Sequence, residues 1–145
     1  MRHVSDILRS REVRIEGIQQ SASVQEAVAV FFQKKVTALV AYDGEHLVGI
    51  FTMNDLVRCC HKHPSDAGKL EIAEVMKKNP FTTTPDADLD DVMAMMVEKE
   101  FRHVPVVDDG KRAIGMLTSL DILAHQNEML QVGREDLLRY IQGSY

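Results

Sequence analysis

The chain of 145 residues carries 45% apolar and 27% charged side chains, the balance of a globular protein and not of a disordered one. Its net charge of −5, without a dense Lys/Arg block, argues against nucleic acid as a partner, and its longest apolar run, residues 36–42, is too short to span a membrane. Adjacent Cys59 and Cys60 offer no disulfide framework, and the N-terminus lacks a secretory signal, so the expected location is the cytoplasm.

In chain order, residues 4–8 form a short apolar segment that introduces a longer amphipathic helix. In that helix Val24, Ala27, Val28, Phe31 and Phe32 follow the spacing i, i+3, i+4, i+7, i+8, one apolar face. Ser23 and Glu26 have the spacing of a capping box before it. Residues 37–42 read as a strand running into the Asp43–Gly44 turn, and residues 47–51 as its return strand. Thr52 and Asp55 then open a second helix. Residues 59–69, with Pro64, Ser65 and Gly68, read as a polar connector.

Displaced by 65 residues, the pattern starts again. Residues 72–76 introduce the second copy and residues 82–84 read as a short strand. Leu89, Val92, Met93, Met96 and Val97 fall on the first helix's apolar face, with Asp88 and Asp91 as its capping pair. One inserted residue before the strand keeps the match, at a displacement of 66. Thr37 then falls on His103 and Leu39 on Pro105. Residues 103–107 enter the Asp109–Gly110 turn, residues 113–117 return, and Thr118 and Asp121 repeat Thr52 and Asp55. The expected organisation is repeat 1 at 1–60, a connector at 61–69, repeat 2 at 70–127 and a helical tail at 128–145. A sheet this small buries too little core to stand alone, so the copies are expected to pack sheet to sheet.

No nucleophile elbow, phosphate loop, dinucleotide fingerprint or His-Glu-x-x-His motif occurs, and no catalytic residue is assigned. Thr-x-x-Asp at a helix start is either a cap, worth about 1 kcal/mol, or a ligand site. In the second reading the free N–H groups and the Thr hydroxyl suit a phosphate, and the Asp carboxylate suits the vicinal hydroxyls of a ribose. Cys59, Cys60, His61 and His63 carry metal-donor atoms, but their spacing matches no standard zinc site, and no metal is assigned. Met93 and Met96 lie on the apolar face, whereas Met95 faces elsewhere and could reach a dimer partner. Leu137, Leu138 and Ile141 form the apolar side of a short tail helix, residues 135–143, which either covers the chain's own core or meets a second copy.

Residues 49–55 (Gly-Ile-Phe-Thr-Met-Asn-Asp) and 115–121 (Gly-Met-Leu-Thr-Ser-Leu-Asp), each after an apolar strand and an Asp-Gly turn, resemble the CBS domain, as does the Phe101-to-Val107 strand entry. The likeness runs from about residue 4 to residue 126. It implies a stand-alone tandem CBS protein of bacterial type, an α+β pair of β-α-β-β-α repeats with pseudo-twofold symmetry, and no enzyme. It further implies a regulatory homodimer binding an adenosyl ligand (AMP, ADP, ATP or NAD), with an unknown protein partner as its output. Asp55 and Asp121 would hold ribose; Thr52 and Thr118 would contact phosphate or ribose. Val36, Thr37 and Ala38, like Phe101, Arg102 and His103, would flank the base, with Thr82 bordering the second pocket. Arg58, Arg102 and His103 would be phosphate partners. Many such proteins carry Arg before the motif Asp, where this chain has Asn54 and Leu120, which removes a phosphate contact from both pockets. Leu39 against Pro105, Thr37 against His103 and Asn54 against Leu120 lead to the expectation that the two pockets are unequal. An interaction scaffold with vestigial pockets is the alternative.

Overall fold

The computed structural model describes residues 2–143. Helix starts follow the side chains that can take up free backbone N–H groups. Before α2 (Val24–Lys34), Ser23 Oγ accepts from Glu26 N, and the Glu26 carboxylate accepts from Ser23 N. Asp88 caps α5 (Leu89–Lys99) by accepting from Asp90 N, so the expected reciprocal pair with Asp91 does not form. Both helices end on a left-handed non-glycine residue, Lys35 at φ 55° and Glu100 at φ 58°. Their buried faces are Val24, Ala27 and Phe31 in one copy and Leu89, Val92 and Met96 in the other. The last expected member of each face corrects the pattern: Phe32 is 84% and Val97 72% exposed. An eighth-position side chain has rotated past the edge of a narrow buried stripe.

The first sheet places β1 (Gly17–Gln19) parallel to β2 (Ala38–Asp43). It continues antiparallel through β3 (His46–Thr52) to β4 (Lys77–Lys78). The second pairs β5 (His103–Val107) with β6 (Ala113–Thr118). The strand expected at 82–84 shrinks to a single parallel bridge, Thr83 with Val106. Thr83 N donates to Pro105 O at 2.9 Å and Val107 N to Thr83 O at 2.8 Å. Between the sheets, Ala38, Val40 and Ile50 meet Met116, so apolar faces of both copies close one common core. This is the α+β pair, packed sheet to sheet, that the duplication implies.

Register moves the inserted residue. Ala38 lies opposite Thr52, and His103 opposite Thr118. Outside the strands, Met53 N donates to Thr37 O and Ser119 N to Arg102 O, both at 3.0 Å. Thr37 therefore corresponds to Arg102, Ala38 to His103 and Val40 to Pro105, all 65 apart. The displacement becomes 66 only beyond the hairpin, because the second loop is one residue longer. There the left-handed residue is Lys111, whereas the first loop uses Gly44. The pairings of Thr37 with His103 and Leu39 with Pro105 are thus one residue out of step.

The copies also exchange their leading helices. Val4 and Ile7 of α1 (Val4–Ser10) are buried against Leu89, Val92, Val104 and Leu117 of the second copy. Ile72 of α4 (Ile72–Val75) is buried against Val24, Phe31, Leu39 and Phe51 of the first. Backbone bonds fix each crossing: Val4 N to Ala87 O at 3.0 Å, and Ile72 N to Ala22 O at 2.9 Å.

After β3 comes α3 (Met53–Lys62), and after β6 comes α6 (Ser119–Gly143), a single helix of 25 residues. The tail expected as a separate short helix is continuous with the motif helix. Leu137, Leu138 and Ile141 are exposed, so they do not cover the chain's own core. Among the described residues, no helix is long and apolar enough to cross a membrane.

Candidate functional site: two pockets across a pseudo-twofold cleft

Each return strand feeds its helix through a closed Thr-Asp cap. Asp55 Oδ2 accepts from Thr52 N and Thr52 Oγ1, both at 2.9 Å. Asp121 Oδ2 accepts from Thr118 N at 2.9 Å and Thr118 Oγ1 at 2.8 Å. In return each threonine oxygen accepts from its aspartate's amide, at 3.3 Å in the first copy and 3.1 Å in the second. The cap fixes the carboxylate at the rim of the cleft and leaves its other oxygen, Oδ1, to other partners.

Both caps face strand entries of the opposite copy. A cavity of about 500 Å³ lies between Thr52 and Asn54 of the first copy and Phe101, Arg102 and His103 of the second. Its counterpart, about 250 Å³, lies between Thr118 and Asp121 of the second and Val36, Thr37 and Ala38 of the first. A third space of about 480 Å³ joins the two helix starts, with Thr52, Thr118 and Leu120 on its wall. His103 lines all three. Its Nε2 sits 3.1 Å from Thr37 Oγ1, a hydrogen bond across the pseudo-twofold axis. Burial pushes the imidazole below its usual pKa, and the positive Arg102 and Lys77 add to that shift against the opposing pull of Asp121 and Asp55.

Of the residues expected at the site, Thr82 and Arg58 stand apart. Thr82 lines none of these spaces, because its neighbour Thr83 turns into the core to make the bridge. Arg58 is engaged within its own helix, Nη1 to Asp55 Oδ1 at 2.9 Å. Asp55 itself is 2% exposed, held behind Thr52 and Lys77, whose Nζ is 3.9 Å from Asp55 Oδ1.

Sequence reasoning missed the segments that floor both pockets. Lys77, Lys78 and Asn79 line the first, and Glu12, Val13 and Arg14 the second. These are the residues that follow the exchanged helices, again 65 apart, and the displacement that aligned the helices would have aligned them. The cysteine–histidine cluster does not converge: Cys59 is buried in the first core and Cys60 is exposed on the same helix. Among the described residues, no group of three or more His, Cys, Asp or Glu is placed to hold a metal ion.

Two matched pockets, built from interleaved halves of a duplicated unit, agree with the sequence profile of the CBS domain, which matches residues 4–62 and 72–128. The chain belongs to the CBS-domain family. Among solved structures, this CBS pair resembles the CBS-domain containing protein ATU1752 from Agrobacterium tumefaciens. The TM-score is 0.80 at 26% identity, covering 86% of this chain and 93% of that one. It also resembles the CBS domain pair of protein MJ0100, solved in complex with 5′-methylthioadenosine and S-adenosyl-L-methionine. There the TM-score is 0.76 at 28% identity, covering 88% and 97% of the two chains. A homoserine O-acetyltransferase of Methanohalobium evestigatum is 34% identical over 122 residues, 83% of this chain but 23% of that protein. The pair thus spans about a quarter of that much longer relative.

Proposed function

We propose that this CBS pair is a non-catalytic regulatory module that binds an adenosyl ligand in the cleft between its copies. The ligand class is AMP, ADP, ATP or NAD, making the protein a sensor of energy or redox state in the cytoplasm. The observation that carries this reading is the pairing of each Thr-Asp helix start with the strand entry of the other copy. A ribose held by one motif there reaches residues of both halves, so occupancy can change how the halves sit. Regulation requires that two states bind the ligand unequally. The adenosyl compounds bound to the MJ0100 pair, of similar fold, support the same ligand class.

Thermal unfolding against AMP, ADP, ATP, NAD and GTP tests it. An adenosyl ligand at about 100 times its dissociation constant should stabilise the chain by about 2.7 kcal/mol. Asp121→Ala should remove the shift from its own pocket while retaining the fold. Because each Thr-Asp pair also caps its own helix, a scaffold with vestigial pockets is the competing reading, and melting curves unmoved by every nucleotide would establish it.

A homodimer belongs to the same reading, and α6 supplies a surface for it. Leu123, Leu130 and Leu137 recur every seventh residue, interleaved with Leu120, Asn127, Arg134 and Ile141, and all seven are exposed. The opposite side of the helix is the buried one, with Ile122 and His125 facing the core. Leucines at one heptad position, with polar Asn127 and Arg134 between the apolar Leu120 and Ile141 at the other, suit self-pairing in a fixed register. Leu130→Glu should therefore turn a dimer into a monomer in sedimentation velocity. A wild-type chain that sediments as a monomer at high concentration would remove this surface from consideration.

A further inference from the structure

The pseudo-twofold axis relates two pockets built from equivalent segments but unequal in size and in charge. Each motif aspartate uses Oδ2 identically, for its own cap. Oδ1 differs. Asp55 Oδ1 accepts from Arg58 Nη1 at 2.9 Å and forms a second, longer ion pair with Lys77 Nζ at 3.9 Å. Asp121 Oδ1 has no such partner among the described residues. The reason lies in the sequence. Under the structural register, Arg58 corresponds to Ala124, and Lys77 corresponds to Glu12.

The walls repeat the contrast. Lys77, Lys78, Lys99 and Arg102 surround the first cavity against the single carboxylate of Glu100. Around the second, Arg14 and Lys35 are balanced by Glu12 and Asp121. Asp121 lies open on its cavity wall, ready to accept from ribose hydroxyls. Asp55 is shut behind its own cations, and a ribose reaches it only when they find another partner. A phosphate supplies that partner, because a charge-assisted bond to phosphate can replace the one given up. An uncharged nucleoside supplies nothing in exchange.

We propose that ligand charge divides the two pockets: the Thr52–Asp55 pocket takes a phosphorylated adenosyl ligand, and the Thr118–Asp121 pocket an adenosyl ligand without phosphate. This rests on the adenosyl-binding reading and adds to it a specificity for each site. The first pocket is then gated by its ligand's phosphate, while the second is preformed. Lys77 and Glu12 are the residues that set the difference.

Adenosine and AMP are the probes, since they share the nucleoside and differ only in the phosphate. Titration calorimetry on the full chain should show adenosine filling one site, lost in Asp121→Asn and kept in Asp55→Asn. AMP should fill the other, with an affinity that falls as salt rises. Lys77→Glu should weaken AMP by about tenfold or more and leave adenosine unchanged. The reverse exchange, Glu12→Lys, should let AMP into the second pocket, a gain that damage to the fold cannot mimic. Equal affinities of adenosine and AMP at both sites, or AMP binding indifferent to Lys77→Glu, would overturn the division while leaving adenosyl binding intact. A chain that binds neither probe nor any other adenosyl ligand would overturn both.

Discussion

Ile7→Ala should destabilise the chain by about 2–5 kcal/mol, the range for emptying a fully packed aliphatic site, and the damage should fall on the second copy. Ile7 has no exposed surface and sits in the core with Leu89, Val92, Met96 and Leu117. Local bonds alone do not hold α1 in place: even with the Asp6 cap on His3 N and the Arg9–Asp6 pair, seven residues are too few for a helix that persists in water. Its stability is borrowed from the far copy, through Ile7, Val4 and the bond from Val4 N to Ala87 O. Ile72→Ala should mirror the effect on the first copy, where Ile72 is fully buried beside Phe31, Leu39 and Phe51. Hydrogen exchange distinguishes the two variants. Amides of β5 and α5 should lose protection in Ile7→Ala, and those of β2 and α2 in Ile72→Ala. Loss in the opposite order would show that each helix stabilises its own copy.

That exchange has a functional consequence, because the segments that floor the pockets are the continuations of the exchanged helices. Residues 12–14 follow α1 and residues 77–79 follow α4. Each continues a helix anchored on the other copy, and residues 77–78 are held there as well by their ladder with β3. A change in the fit of α1 or α4 would therefore reach Arg14 through residues 11–13 or Lys77 through residue 76 alone, and ligand contacts there would bias the helices in return. The cleft and the exchange are one arrangement.

Much of this was legible in the sequence, and the limits of legibility are instructive. Helix phase and the Thr-x-x-Asp starts stood out because both are local: a 3.6-residue period and a cap are determined within four or five residues. The correspondence between copies was also visible, but not to the residue. Hydrophobic strands tolerate a one-place slip on paper, since residues 38–41 are apolar throughout, and only the ladder from Ala38 to Thr52 decides the register. The extra residue went unrecognised in the hairpin because Asp43–Gly44 and Asp109–Gly110 look alike, while the second turn places its left-handed residue at Lys111. The exchange of α1 and α4 could not be read at all. Val4 and Ile7 announce an apolar face, but no periodicity says which of two similar cores will bury it. The place of Arg58 one turn after Asp55 suits a phosphate partner, and that same place lets it close on Asp55 first.

The motif glycines Gly49 and Gly115 recur in both copies, and the structure gives them separate costs. A Cβ on Gly49 would stand 2.5 Å from Met76 Sδ and 2.8 Å from the Lys77 carbonyl oxygen. The methionine can swing aside; the carbonyl cannot, because Gly49 lies opposite Lys78 and Ile50 opposite Lys77 in the β3–β4 ladder. On Gly115 the same atom would meet Val13 Cγ1 at 3.1 Å and the Val13 carbonyl oxygen at 3.4 Å, contacts that a small side-chain adjustment relieves. Gly49→Ala should therefore cost about 1–3 kcal/mol by overpacking. Gly115→Ala should cost less, offset in part by the lower entropy of its unfolded chain. The first substitution should also push β4 off β3, carrying Lys77 away from Asp55 and the phosphate-facing wall, so AMP should weaken while adenosine at the Asp121 pocket holds. Denaturant melts of the two variants beside wild type, followed by titration of both ligands, read each part. Equal stabilities for the two variants would mean that the Lys77 carbonyl yields as readily as the Val13 side chain. β4 would then be a loosely held edge, and Gly49 no more demanding than Gly115.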